Sequence, residues 1–428
     1  FPRFITKRQL LSILTISFPW KKLSRKLYLC HPKRNNPKLL AVKPKRPLSL
    51  GPKPPKPLLL STSKFMATTK TNNEIFIKFL VWRILIFSVA LLAVKILPLR
   101  IGFTFLTPEN DSRNLIQMWT NFDGVHYITL AIYGHGVAGL SNLLYAFFPV
   151  YPWLVRTFEY VVRNFTGSGV LISNVSFLLS LFLLYKLFRL DFKDRISKLA
   201  LFLILIFPTS FFFGAVYTES LFLLLSVFTF YLARRRQFFP AGLCAAIASA
   251  TRVTGIFLWP ALLIEFYLAN GKSLKKMLNP NLVWLSLPPL GLLAYMRYQL
   301  LHTGSSIFFI TSQSVIGSNR VVSKIILLHQ VFFRYLKMLI FVDHTDPLFF
   351  TVLLEFLCGA GALVILILAI KKMRPSYWLY CFLSFLLPPL TGTFSSLPRY
   401  VLVLFPLFGI LAYWLDRQHP FIRYLYYT

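Results

Sequence analysis

Asp123 and His126 stand three residues apart, so a helix starting at Asp123 places both on one face, with Tyr127 beside them. Ile128, Leu130 and Ile132 form part of an apolar side, which fits a helix lying along a bilayer surface with a carboxylate at the water boundary. Asp123 is one of only 13 acidic residues in 428. A carboxylate so placed can take the proton from an attacking hydroxyl; the plain alternative is an Asp-Gly turn that ends or caps a helix. His126 either orients an acceptor, binds a phosphate, or is an interfacial histidine bonded to backbone. Glu219 sits between apolar runs in FFFGAVYTESLFLLL and either bonds a hydroxyl of a ligand or caps the next helix with Thr218 and Ser220. Arg252 lies in AAIASATRVTGIFLWP, where an arginine is costly and faces a cavity or a partner. It either holds a phosphate or pairs with Glu219. Arg399, in SSLPRYVLVLF, either holds a phosphate or snorkels at a helix end.

Little else in the chain has the spacing of chemistry. The loop bearing Gln313 and Arg320 reads as a connector, and Asp343-His344-Thr345-Asp346 as a polar turn rather than a cation site. Four scattered cysteines suggest neither zinc nor disulfides. No metal ligand set is expected. The absence of a GxGxxG or Walker motif leaves a soluble nucleotide-sugar or ATP site unsupported, so no cofactor is expected.

The elements that must position these residues are membrane helices. The chain is 56% hydrophobic and 17% aromatic, with 44 Phe and a mean hydropathy of +0.63, the pattern of an all-α polytopic transmembrane bundle. Spans are expected at about 75–97, 168–188, 199–216, 217–233, 238–251, 255–269, 281–299, 348–370, 376–391 and 399–415, with 143–163 interrupted by Pro149 and Pro152. The segment 324–342 carries His329, Arg334 and Lys337 and is expected on the surface. About 10–12 spans result, with a first extracytoplasmic loop, 98–142, that is amphipathic. Basic loops at 189–198, 234–236, 270–277, 371–374 and 416–423 read as the cytoplasmic side. The parity then depends on whether 143–163 crosses the membrane.

The net charge of +34 is a topology signal rather than a nucleic-acid footprint. Residues 1–65 hold 16 Lys and Arg and no acid, leaving 31 basic against 13 acidic residues elsewhere, many in short loops. No nucleic-acid partner is expected; membrane lipid is. Residues 1–65 form a basic Lys/Pro-rich extension expected to be disordered. The first Met is Met66, and the preferred expectation is that translation starts there and the fold is a single domain, 66–423. The other reading of 1–65 is a basic tail for anionic lipid, or a targeting extension.

Trp119, Asn121-Phe122-Asp123-Gly124, His126-Tyr127, Tyr133-Gly134 and Ala146-Phe147-Phe148-Pro149-Val150-Tyr151-Pro152 together resemble the PIG-V-like mannosyltransferases, which include GPI mannosyltransferase 2. Shorter echoes are Tyr217-Thr218-Glu219-Ser220, Ala250-Thr251-Arg252-Val253-Thr254-Gly255 and Leu397-Pro398-Arg399-Tyr400. The resemblance runs from about residue 75 to about residue 415. It implies a GT-C fold and transfer of mannose from a polyprenyl (dolichyl-type) phosphate to a lipid-linked or glycolipid acceptor on the lumenal or outer face. Asp123, in the catalytic loop 98–142, would be the base, with His126, Tyr127, Glu219, Arg252 and Arg399 binding substrate. The loop near 300–345 is shorter than is usual in that family, which leans towards a prokaryotic cell membrane rather than the endoplasmic reticulum. The rival readings are a transporter or flippase of lipid-linked sugar, for which no internal repeat is visible, and a non-catalytic subunit of a glycosylation complex.

Overall fold

The computed structural model describes residues 62–96, 115–136, 141–314 and 320–418. Most of the Lys/Pro-rich extension, Glu109 and Asp111 therefore lie outside the described residues. Thr62 to Phe65 are the exception, because the first helix, α1, runs Thr62–Ile96 without a break at Met66. Among the described residues every regular element is helical. The principal helices that follow are α2 (Asp123–Tyr133), α3 (Val150–Val162), α4 (Phe165–Phe188), α5 (Asp194–Leu205), α6 (Glu219–Arg234) and α7 (Phe238–Thr251). They continue with α8 (Leu258–Ala269), α9 (Leu287–Thr303), α10 (Leu328–Phe341), α11 (Pro347–Ala369), α12 (Pro375–Leu386), α13 (Leu397–Leu402) and α14 (Phe405–Gln418).

Three of these helices, within Thr69–Ile96, Phe165–Phe188 and Pro347–Ala369, are long and apolar enough to cross a membrane. The chain is an integral membrane protein of helical type. The remaining long helices have 12 to 17 residues, roughly 18–25 Å at 1.5 Å per residue.

The expected span 199–216 is corrected by this geometry. Helix α5 stops at Leu205, because Pro208 supplies no backbone donor, and residues 206–218 continue as turns around one short 3-10 helix, Ser210–Gly214, buried from Phe213 onward. Such backbone survives inside a membrane protein only when its polar groups are met internally. Here Val216 N donates to Trp119 O (2.9 Å), Ser220 Oγ to Phe213 O (2.7 Å) and Ser173 Oγ to Tyr217 O (3.3 Å).

The two ends of the bundle differ in charge. Arg234 reaches Asp191 (2.7 Å) and the Tyr377 hydroxyl (3.0 Å), Arg374 grips Glu265 through two bonds, and Arg195 pairs with Asp416. These contacts gather the basic loops 189–198, 234–236 and 371–374 and the end of α14 at one end. Glu219 opens α6 at the opposite end from Arg234. Helix α3 folds back along the outer part of α4, with the Tyr151 hydroxyl bonded to Gly169 O (3.0 Å) and Ser173 Oγ (2.9 Å). At 13 residues it is shorter than the three helices long enough to cross a membrane. Helix α10 lies against α11 with Phe333, Ile340 and Phe341 exposed.

Close helix approach in such a bundle rests on small residues. A Cβ built on Gly291 of α9 would fall 1.9 Å from Ala246 O of α7, whereas one on Gly361 meets nothing within 4 Å. Gly291→Val should therefore destabilise the detergent-solubilised protein by about 1–3 kcal/mol, the usual cost of overpacking. Gly361→Ala should be neutral or slightly stabilising by thermal melting. Equal melting of the two variants would contradict the assigned α7–α9 contact.

Candidate active site

Four of the charged residues singled out from sequence meet in one place. Arg399 Nη1 lies 2.5 Å from Asp123 Oδ2, across 276 positions of chain, and its Nε lies 3.2 Å from Glu219 Oε1. Arg252 Nη1 lies 2.5 Å from the same Glu219 oxygen and donates to Thr218 Oγ1 at 3.1 Å. The result is an alternating row, Asp123–Arg399–Glu219–Arg252. Aromatic faces line it: Arg399 sits 5.4 Å from the Tyr217 ring centroid and 5.5 Å from Phe212, and the Tyr400 ring lies against both guanidiniums, 5.6 Å from Arg399 and 5.1 Å from Arg252.

The row is sealed at Glu219 and most open at Asp123. Side-chain exposure is 1% for Glu219, 10% for Arg252, 13% for Arg399 and 23% for Asp123. Asp123 is therefore the end at which a ligand can enter. Glu219 is placed to hold two arginines, and its first oxygen is occupied by both. Arg399 does not snorkel, and Arg252 is paired with Glu219.

Asp123 is aimed by its loop. Phe122, which precedes it, has φ 58° and ψ −123°, a conformation that costs a non-glycine residue energy and is over-represented at functional sites. The loop is tied edge to edge with the irregular segment after α5: Trp119 O takes Val216 N, and Asn121 O takes the Tyr217 hydroxyl at 2.7 Å. Arg83 of α1 lies 4.1 Å over the Trp119 ring and steadies the same turn. Tyr127 is buried among Phe147, Tyr151 and Tyr217, and its hydroxyl stands 3.4 Å from Thr218 Oγ1. It braces the site from below. His126 is half-buried, with its ring 5.0 Å from Phe147.

Burial pushes the Asp123 carboxyl up, but Arg399, with smaller help from His126 and Arg252, overcomes this and holds it below the usual carboxylate range. Burial lowers His126 below the ordinary imidazole value, against the opposing pull of Asp123.

An apolar groove of about 780 Å³ opens beside the row. Val81, Leu85 and Val89 of α1 form one wall, and Phe202, Phe207 and Phe211 line the other. Asn121, Phe122 and Tyr217 also line it, so the groove reaches the residues adjoining Asp123 and Arg399.

The remaining sequence candidates take structural places. Asp343 Oδ1 accepts from Thr345 N and Oγ1, and Asp346 caps α11 through Leu348 N. Arg320 donates to Ser395 O at 3.4 Å, so its loop docks on the turn before Arg399 rather than merely connecting helices. Sequence reasoning missed Tyr217 and Tyr400 as guanidinium partners, and it missed Glu355. That residue is the only carboxylate in α11 and is buried, a combination that marks a used residue in an apolar span.

Residues 148–296 match the model of a family described as dolichyl-phosphate-mannose-protein mannosyltransferase. That segment runs from the turn before α3 to the middle of α9 and includes Glu219 and Arg252, while Asp123 and Arg399 fall outside it. Among solved structures, the chain is similar to the crystal structure of ArnT from Cupriavidus metallidurans bound to undecaprenyl phosphate, with 17% identity and a TM-score of 0.47. The similarity covers 79% of this chain and 61% of that one. Comparison with curated protein sequences gives no match.

The pairing predicts a sign for pH dependence. With Arg399 present, the depressed Asp123 pKa means that its contribution to stability persists above the unfolded value of about 3.9 and is lost only below it. In Arg399→Gln only burial acts strongly, so the Asp123 pKa should rise above that value. The pH at which Arg399→Gln and Arg399→Gln/Asp123→Asn diverge in melting temperature should then lie higher than for the corresponding wild-type pair. A divergence at the same or lower pH would show that Arg399 does not set the ionisation of Asp123.

Proposed function

We propose that this protein is an integral membrane glycosyltransferase that moves a hexose, by resemblance mannose, from a polyprenyl phosphate to a hydroxyl of a lipid-linked or glycolipid acceptor. The observation that carries the reading is that Asn121, Phe122 and Tyr217, which adjoin the open end of the charge row at Asp123 and Arg399, also line an apolar groove. A polyprenyl tail fits the groove by its chemistry, and its phosphate would then lie against Arg399. The match of residues 148–296 to a dolichyl-phosphate-mannose-dependent family supports the donor class. The PIG-V-like blocks around Asp123 support mannose and a glycolipid acceptor such as a GPI intermediate. The gathering of basic loops at the other end of the bundle supports a site on the outer or lumenal side, by the positive-inside rule.

In this reading Asp123 takes the proton of the acceptor hydroxyl as its oxygen attacks the anomeric carbon. The bond from that carbon to the phosphate oxygen breaks with inversion. The leaving phosphate gains negative charge, which Arg399 and, behind it, Arg252 offset. A carboxylate held by Arg399 is a weak base, so the row has a second use. When a donor phosphate draws Arg399 away, Asp123 loses its counter-charge and becomes more basic at the moment both substrates are present. Glu219 keeps Arg399 and Arg252 within reach throughout.

The test is transfer of label from polyprenyl-phosphate-mannose to membrane glycolipid by wild type and Asp123→Asn at matched amounts. Asn keeps size and hydrogen bonding but cannot take the proton. The expected loss is at least about 100-fold, the lower range of general-base contributions. Equal transfer by the two would remove Asp123 as base, and absence of transfer by folded wild type would remove the reaction itself.

A further inference from the structure

The segment that carries Arg399 into the site is held by a residue far from the charge row. Residues 392–396 are bracketed by two left-handed positions, Gly392 at φ 89° and Ser396 at φ 63°. Glycine accepts such a conformation at no cost, but serine does not. The backbone N–H of Ser396 donates to Glu355 Oε1 at 2.8 Å, and Ser396 O in turn takes the N–H groups of Arg399 (3.0 Å) and Tyr400 (3.3 Å). The other oxygen of Glu355 accepts from the Tyr335 hydroxyl of α10 at 2.6 Å, and that hydroxyl also stands 3.2 Å from Thr393 Oγ1. Arg334, the neighbour of Tyr335, donates to Gly392 O at 2.7 Å.

Glu355 belongs to a stripe of α11, Val352, Glu355, Gly359, Ala362 and Leu366, that is otherwise small or apolar and faces the bundle. One turn along it, Gly359 leaves room for Phe394 and Leu397, which pack on the stripe. An ionisable side chain within such a span carries a large desolvation cost. One of its oxygens is used on the strained turn and the other on Tyr335, whose hydroxyl stands beside Thr393 of that turn.

We infer that Glu355 is a positioning residue: through Ser396 it fixes the first turn of α13 and so sets Arg399 against Asp123. Tyr335 orients the Glu355 carboxylate and ties α10 to the same turn. The consequence is that the short loop and helix after residue 320, which touch neither Asp123 nor Glu219 in the contacts above, govern where Arg399 stands.

The experiment is hydrogen–deuterium exchange of the full chain in detergent micelles, followed by mass spectrometry of peptides covering 390–402 and, as an internal reference, the second half of α11. Wild type is compared with Glu355→Leu, Glu355→Gln and Tyr335→Phe. Losing an acceptor that is a carboxylate should speed exchange of the Ser396–Tyr400 amides by about tenfold or more in Glu355→Leu. Glu355→Gln keeps an acceptor for Ser396 and should stay within about threefold of wild type, with Tyr335→Phe between the two. Residues after Gly359 should remain protected in all three. Should Glu355→Leu fail to fold, Tyr335→Phe carries the test, since it removes one hydroxyl and leaves the packing. Unchanged exchange at 390–402 in Glu355→Leu or, where that variant is unfolded, in Tyr335→Phe would overturn the inference. So would equal damage by Glu355→Gln and Glu355→Leu. The exchange reads the position of the turn whether or not the protein transfers a sugar. In the transfer assay, Glu355→Leu added to Arg399→Gln should cost less than about twofold further, because both act on the same group; a multiplicative loss would indicate a merely structural role.

Discussion

Two carboxylates and two guanidiniums, alternating as Asp123, Arg399, Glu219 and Arg252, are the interaction on which the rest of this structure depends. A single charge at such depth would be expensive, and removing one partner of a buried pair costs roughly 3–5 kcal/mol because the other is left uncompensated. An alternating row avoids that cost only if all four residues arrive together. They come from four places in the chain: the start of α2, the start of α6, the turn after α7, and α13. The row therefore acts as a lock on the relative placement of those elements. Its exposed end is also its reactive end, where a phosphate can compete with Asp123 for Arg399.

The break in the chain after α5 follows from this requirement. Had residues 199–216 formed one regular span, Glu219 would lie at its far end in contact with water. Instead Pro208 ends the helix early, and the chain after it turns inward, its backbone bonded to Trp119 and Ser173 and its Tyr217 hydroxyl to Asn121. The same turn brings Tyr217 and Phe212 under Arg399 and leaves the apolar groove between α1 and α5. Charge row, aromatic platform and groove are thus products of one irregular segment. This explains why Tyr217 lines both the groove and the guanidinium.

Rare charges in an apolar chain are legible because their cost implies use, and Asp123, Glu219, Arg252 and Arg399 were each readable in that way. Their meeting was not, since no sequence spacing relates residues 276 positions apart. The helical class and the long spans α1, α4 and α11 followed from apolar length alone. Hydropathy overstated 199–216 because it weighs Pro208 only as a mildly apolar residue and does not register the missing donor. Glu355 is the instructive omission. The rule that made Arg252 conspicuous applies equally to a lone carboxylate in α11, but Glu355 sits outside every block that resembled a known family. Arg320 was read as part of a connector because its partner is a backbone oxygen, Ser395 O, which no side-chain pattern announces.

The most direct measurement is an experimental structure of the protein in nanodiscs with a polyprenyl phosphate bound, compared with the protein free of it. This account predicts the tail in the groove between α1 and α5, and the Arg399 guanidinium on the phosphate with its bond to Asp123 lengthened beyond hydrogen-bonding distance. Glu219 should keep its contact with Arg252. A phosphate bound elsewhere, or Arg399 still paired with Asp123 while the phosphate is held by other groups, would contradict it.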